Sequence, residues 1–372
     1  MTQNNKAGRS SVLRFAGAYV AFMTGSGFAT GQEVMQYYVA FGFCGFAAVL
    51  TVFALLAYAG ARLVSAGHRE KFERGSSVFA YYCGPVIGKF FDWFTTFSIY
   101  MSFVVILAGA GALLEQQCGL PVAFGVVLIA ALSCITVIGG FHRMLNVLGR
   151  IGPVTIALVL AVGIAALVRG AGSLAEADAA IASMGLLRAA DHWLLSAVSY
   201  IGISMIWLTT FLTRLGAEAS SERRAKNGVL LGTAVFFSGV MLVTAAMMGN
   251  IRTIQGTQAP MIALAEQLHP LAATLITGVI CLGIYTASVP LLWTVTARVA
   301  DERSKRSRVA AMAATVVGAA IALTWSFDKL VNIVYVLCGY VGFYLCAAVV
   351  WKDVRMLWRK CIKKRACRDC AA

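Results

Sequence analysis

Apolar residues along this chain fall in long runs separated by short polar clusters. A helix needs about 20 largely apolar residues to cross a bilayer, because hydrocarbon offers no partner to an unpaired backbone N–H or C=O. The runs predict spans near 12–41, 43–66, 89–116, 120–140, 146–168, 192–213, 227–249, 271–298, 309–326 and 330–351. The expected fold class is an all-α integral membrane protein of about ten transmembrane helices. The clusters divide it into an N-terminal tail (1–11), five helices (12–170), an external loop (171–191), five more helices (192–351) and a basic tail (352–372). Two connectors carry patterns of their own. Residues 72–88 hold an amphipathic stretch around Val78–Tyr82, and Pro260 to Leu268 reads as a short external helix closed by Pro270, either a lid or a plain loop helix.

Composition agrees with burial in lipid. The 372 residues are 60% hydrophobic and 13% charged, with a mean hydropathy of +0.80, against about 25% charged in soluble domains. The net charge of +15 would suit nucleic acid, but its placement excludes that partner. With both termini inside, only Arg169, Arg188, Arg252 and Lys329 fall in outer loops, leaving 27 of the 31 basic residues inside. That asymmetry is the positive-inside pattern, and an odd helix count would blur it. Trp193 and Trp325 fall at outer ends and Trp93, Trp351 and Trp358 near inner ends, where indoles favour the interface.

The most informative stretch is Thr24-Gly25-Ser26-Gly27-Phe28-Ala29-Thr30-Gly31-Gln32-Glu33, in the middle of the first run. Val12–Met23 and Val34–Phe41 are each too short to cross and must be joined through it. Three glycines and small hydroxyl residues make a poor helix interior. Non-helical backbone at membrane depth is tolerated only inside protein or against a cavity. Its freed N–H and C=O groups would attract anions and cations respectively. A small-residue packing face is the alternative, since Gly27 and Gly31 form G-x-x-x-G. Glu33 is an ionisable group in the outer half of the membrane, where such groups are costly and usually functional. It could relay a proton, pair with a cationic ligand, or simply face an outer vestibule.

Five spans followed by five place the halves in opposite orientation, the inverted-repeat condition. The sixth span should then mirror the first, with a break around Ser199-Tyr200-Ile201-Gly202-Ile203-Ser204. In the eighth, Pro290 predicts a kink, and Thr286 and Ser288 offer oxygens to a cation or bonds to their own helix. Tyr100 and Ser102 lie near the middle of the third span.

The run from Gly25 to Glu33 strongly resembles the signature of bacterial YkvI-type membrane proteins, a branch of the amino acid–polyamine–organocation superfamily with the LeuT-type fold. The resemblance covers most of the chain. It implies a 5+5 repeat with first and sixth helices broken, a place in the bacterial inner membrane, and a solute site between the first, third, sixth and eighth spans. Gly25, Ser26, Gly27 and Phe28 would face the solute, joined by Tyr100, Ser199, Tyr200 and Gly202. A sodium site of the superfamily type would use carbonyls of Ala21 and Thr24 with Ser288, and Ala287 or Ile284. The eighth span lacks an adjacent pair of hydroxyls, so proton coupling through Glu33 stays open beside sodium.

The expected function is cation-coupled secondary transport of a small polar solute, an amino acid or similar zwitterion, with a non-transporting sensor on the same scaffold as the alternative. No ATP-binding loop is present, and no further cofactor is implied. His68, His142, His192 and His269 do not cluster, and no His/carboxylate metal spacing appears, which argues against an enzyme. The 10 cysteines form no secreted disulfide framework; Cys44, Cys134, Cys281, Cys338 and Cys346 lie in apolar runs, while Cys361, Cys367 and Cys370 lie in the basic tail.

Overall fold

The computed structural model describes residues 2–24, 26–72, 77–139, 157–168, 174–257, 259–300 and 304–369. Within these, the backbone alone is described for 2–11, 26, 270, 328, 331–332, 336, 357 and 359–369. Gly25, His142, Cys370 and the first part of the fifth predicted span lie outside the described residues, as do the side chains of Ser26, Cys361 and Cys367.

The described residues are helical with short joints. Seven helices are long and apolar enough to cross a membrane. They are α4 (Phe43–Glu70), α6 (Pro85–Cys118), α10 (Trp193–Ala217), α11 (Glu222–Gly249), α14 (Pro270–Val299), α15 (Lys305–Thr324) and α16 (Phe327–Asp369). The remaining predicted spans coincide with the shorter apolar stretches of α1 (Thr2–Met23), α7 (Val122–Ile138) and α8 (Ala157–Val168). The helix of α16 continues through the predicted basic tail as far as Asp369. Short helices fill the connectors: α2 (Ser26–Thr30), α3 (Gln32–Tyr37), α5 (Ser77–Cys83), α9 (Leu174–Ser183), α12 (Ile251–Ile254) and α13 (Pro260–Leu268). The amphipathic stretch forms α5, which buries Val78 and Phe79. Pro270 opens α14 at its first turn, where a missing N–H leaves no bond unmade.

Packing sorts the long helices into two groups. One joins α1, α4, α10 and α11; the other joins α6, α7, α14 and α15, and α16 packs along both α10 and α6. Each group draws two consecutive spans from each half of the chain. One end of the bundle carries α12 and α13; the other carries both chain tails.

The first span is broken, as the glycines predict. Helix α1 stops at Met23, and Thr24 turns its hydroxyl back to the Val20 carbonyl at 2.7 Å. After α2, Gly31 adopts φ 82°, a conformation that costs a side-chain-bearing residue strain, and α3 begins. The Thr30 hydroxyl spans this joint, donating to the Gly27 carbonyl at 3.2 Å and accepting from the Gln32 N–H at 3.3 Å.

The segment after α3 is strapped from outside. Asp178 of α9 accepts from the Phe43 N–H that opens α4 at 2.7 Å, and the Arg188 guanidinium donates to the Ala40 carbonyl at 3.1 Å. Ala189 N–H donates to Gln36 O, and Ser196 Oγ donates to Tyr37 O. Carbonyls at the end of a short helix have no partner along the chain; here residues from another element supply them.

The sixth span departs from expectation. Helix α10 runs from Trp193 to Ala217 without interruption, so the predicted break at Ser199–Ser204 is corrected. The small residues there serve a helix crossing instead. A Cβ on Gly202 would lie 1.7 Å from the Gly339 carbonyl oxygen, and one on Gly339 would lie 2.3 Å from Ser199 Oγ. The backbones of α10 and α16 approach so closely that no methyl group fits between them.

Candidate functional site

Beside the first-span break, a cavity lies between α3, the α13-side half of α6, α14 and α16. It encloses about 650 Å³ of empty space, its open mouth included, and its wall holds Gly27, Thr30, Gln32, Glu33, Gln36 and Tyr37 from the broken span. Gly109, Ala112, Leu113 and Gln116 of α6 face them, with Ala259, Ile284, Phe327 and Tyr335 completing the wall.

The break is what puts polar groups there. Restarting the helix at Gly31 turns Gln32, Glu33 and Gln36 into the cavity while Val34 and Met35 stay buried on the packed side. The Glu33 carboxylate folds back over the break: a Cβ on Gly27 would sit 1.9 Å from its Oε1. Among the described residues Glu33 has no ion pair or hydrogen-bonded partner, and Gln32 Oε1 is buried without one. Among the described residues the wall contains one carboxylate, three amides and several hydroxyls, and no Lys, Arg or His.

Gly27→Ala follows as a separate test. The added methyl meets the mobile end of Glu33 rather than backbone, so it should move the carboxylate and leave stability within about 1 kcal/mol of wild type. Thermal melts should match while solute binding changes.

Below the cavity, toward the tail end, the two helix groups touch. Tyr335 meets the Trp207 ring edge-on at 5.8 Å, and Trp207 Nε1 donates to Ser102 Oγ of α6 at 3.3 Å. Further on, the Arg214 guanidinium of α10 lies over the Trp293 ring of α14 at 5.4 Å. At this end Arg62 pairs with Asp353 and Arg298 with Asp92, and Arg69 pairs with Glu222 at 2.8 Å. These contacts all lie on the tail side of the cavity, whereas Ala259, beside α13, lies in its wall.

The residues expected from sequence fall in different places. Gly27 and Glu33 are in the wall. Phe28 is buried against Phe236 of α11, its ring 5.0 Å away. Tyr100 turns to α15, donating to the Ala314 carbonyl at 3.0 Å, while Ser102 faces α10. Ser199 and Gly202 lie in the α10–α16 crossing. Tyr200 packs behind α3, its ring 5.2 Å from Tyr37 and 5.4 Å from Tyr38. Ala21 lies in the last turn of α1 and Thr24 follows its end. Ser288 meets Ser133 of α7 at 2.6 Å, and Thr286 bonds back to the Gly283 carbonyl. On α14 it is Ile284 that reaches the cavity.

Gln36, Tyr37, Gln116, Phe327 and Tyr335 were not foreseen. The signal for the first two was present: Gln32, Glu33, Gln36 and Tyr37 sit at the three- and four-residue spacings that share a helix face. The other three come from distant elements and carry no local signal.

Solved structures share this architecture. The chain aligns with a Na+-coupled sialic acid symporter in a substrate-bound outward-open state at a TM-score of 0.65, over 90% of this chain and 77% of that one, with 13% identity. MhsT in complex with L-phenylalanine aligns at 0.64, over 92% and 88%, with 12% identity. The chain shares their fold, the LeuT-type fold. By sequence it is 26% identical over 347 residues to the uncharacterized membrane protein YkvI of Bacillus subtilis strain 168, covering 92% of this chain and 96% of the relative. No protein-family model matches the chain.

Proposed function

We propose that this protein is a secondary active transporter that moves a small polar solute, an amino acid or related zwitterion, with a cation gradient of Na+ or H+. The supporting observation is the broken first span, whose polar face lines a cavity between two packed helix groups. Unwound backbone survives at membrane depth only where it borders such a space, and half-helices at a mid-membrane site are a recurrent transporter device. Ten spans in a 5+5 inverted repeat fit the way each group takes two consecutive spans from each half. The charge asymmetry of the loops supports both termini in the cytoplasm, which makes the α13 end the outer one. Alternating access would then consist of opening the Trp207–Ser102 and Arg214–Trp293 contacts as the outer cavity closes.

Of the neighbours named above, one is a Na+-coupled symporter and the other binds L-phenylalanine, which favours this class. Ser288 Oγ pairs with Ser133 Oγ, and sodium coupling through Ser288 and proton coupling through Glu33 are the two alternatives. The test is uptake of a radiolabelled amino acid mixture into proteoliposomes under an imposed sodium gradient and, separately, a pH gradient. Accumulation with either gradient supports transport and names the ion; ligand binding without flux under both gives the sensor reading.

A further inference from the structure

We infer that the cavity selects its solute by a cationic nitrogen, seated at Glu33 among the Tyr37, Phe327 and Tyr335 side chains, and does not require a carboxylate. This rests on reading the cavity as the solute site and narrows the solute to amines and amino-group-bearing zwitterions.

Charge carries the argument. Among the described residues Glu33 is the one carboxylate in the wall, and none of them is a Lys, Arg or His that could answer an anion. A carboxylate entering near Glu33 meets a like charge in a medium far less polarisable than water, where the repulsion is strong. An ammonium there gains a charge-assisted hydrogen bond and supplies the partner Glu33 lacks. Aromatic side chains attract a cation further through their ring faces. The amides of Gln32, Gln36 and Gln116 can donate or accept, and so suit hydroxyl or amide groups on the remainder of the solute.

An organic cation and a bare ion ask different things of the wall. A hard metal cation is wrapped by about six oxygens at short range, whereas an ammonium is held by an anionic acceptor and aromatic ring faces, which Glu33, Tyr37, Phe327 and Tyr335 supply.

The test is a thermal-shift and calorimetric panel on the detergent-purified full chain. It compares free amino acids, the primary amines left when their carboxylate is removed, and their N-acetyl derivatives, each with and without sodium. Amines and free amino acids should bind and N-acetyl derivatives should not, and Glu33→Gln should weaken binding about 10- to 100-fold. Rescue of N-acetyl binding in Glu33→Gln would support the like-charge argument. Equal binding of N-acetyl derivatives to the wild type would overturn the assignment. So would unchanged amine affinity in Glu33→Gln, or a sodium-only shift that this variant abolishes. If no amine binds but proteoliposomes accumulate an anionic or neutral solute, the transporter reading stands and the cationic assignment fails; if neither occurs, both fail.

Discussion

Glu33→Gln should abolish gradient-driven uptake while the protein still folds. The substitution keeps the size and hydrogen-bonding reach of the side chain and removes its charge. No ion pair or hydrogen bond of the described fold is lost with it, so the melting temperature should stay close to wild type or rise slightly, an unpaired charge at membrane depth being costly even when half-buried. Function should respond in full. If the carboxylate holds the solute's cation, binding and uptake fall together. If it relays a proton, binding survives while uptake loses its dependence on pH. Uptake at wild-type rate with unchanged pH dependence would remove Glu33 from the mechanism.

The second large effect concerns assembly. Gly202→Val should prevent α10 from packing on α16. The Cβ alone would lie 1.7 Å from the Gly339 carbonyl oxygen and 2.6 Å from the Phe343 nitrogen. Backbone cannot yield as a flexible side chain can, so the helices must separate along their whole contact. Overpacking a core by a few methyl groups costs about 1–3 kcal/mol, and a clash against backbone belongs at or above the top of that range. The expected result is loss of a monodisperse peak or a much lower melting temperature. Gly278→Val is the control: nothing lies within 4 Å of a Cβ there, and the helix propensity change is the same. Equal behaviour of the two variants would mean that α10 and α16 are further apart than described.

The Gly202 contact bears on what could be read from the chain itself. The spans were legible because hydrocarbon imposes one solution on backbone hydrogen bonding, and a run of apolar residues has no other use at that length. The first break was legible because three glycines and four polar residues, Ser26, Thr30, Gln32 and Glu33, exceed what packing needs. The sixth was misread because one glycine between serines has two uses. It can unwind a helix or admit a neighbour, and only the position of Gly339 decides between them. The third span shows a different limit. Tyr100 and Ser102 lie two positions apart, a spacing that on a helix turns side chains roughly 200° from each other, and the fold turns Ser102 toward α10 and Tyr100 toward α15. Ser288 was read for its oxygen, which a serine on α7 already engages. The cavity drew Gln116, Phe327 and Tyr335 from α6 and α16, elements more than two hundred residues apart, so no local pattern could have named them.

The most direct measurement is counterflow in proteoliposomes, using the tightest-binding amine or amino acid from the panel. Vesicles preloaded with unlabelled solute are diluted into a trace of labelled solute with no ion gradient imposed. A single cavity exposed alternately to the two sides predicts a transient overshoot of label inside, lost in Glu33→Gln. Label that only equilibrates would indicate a passive pore, and a bound ligand that never enters would contradict transport altogether.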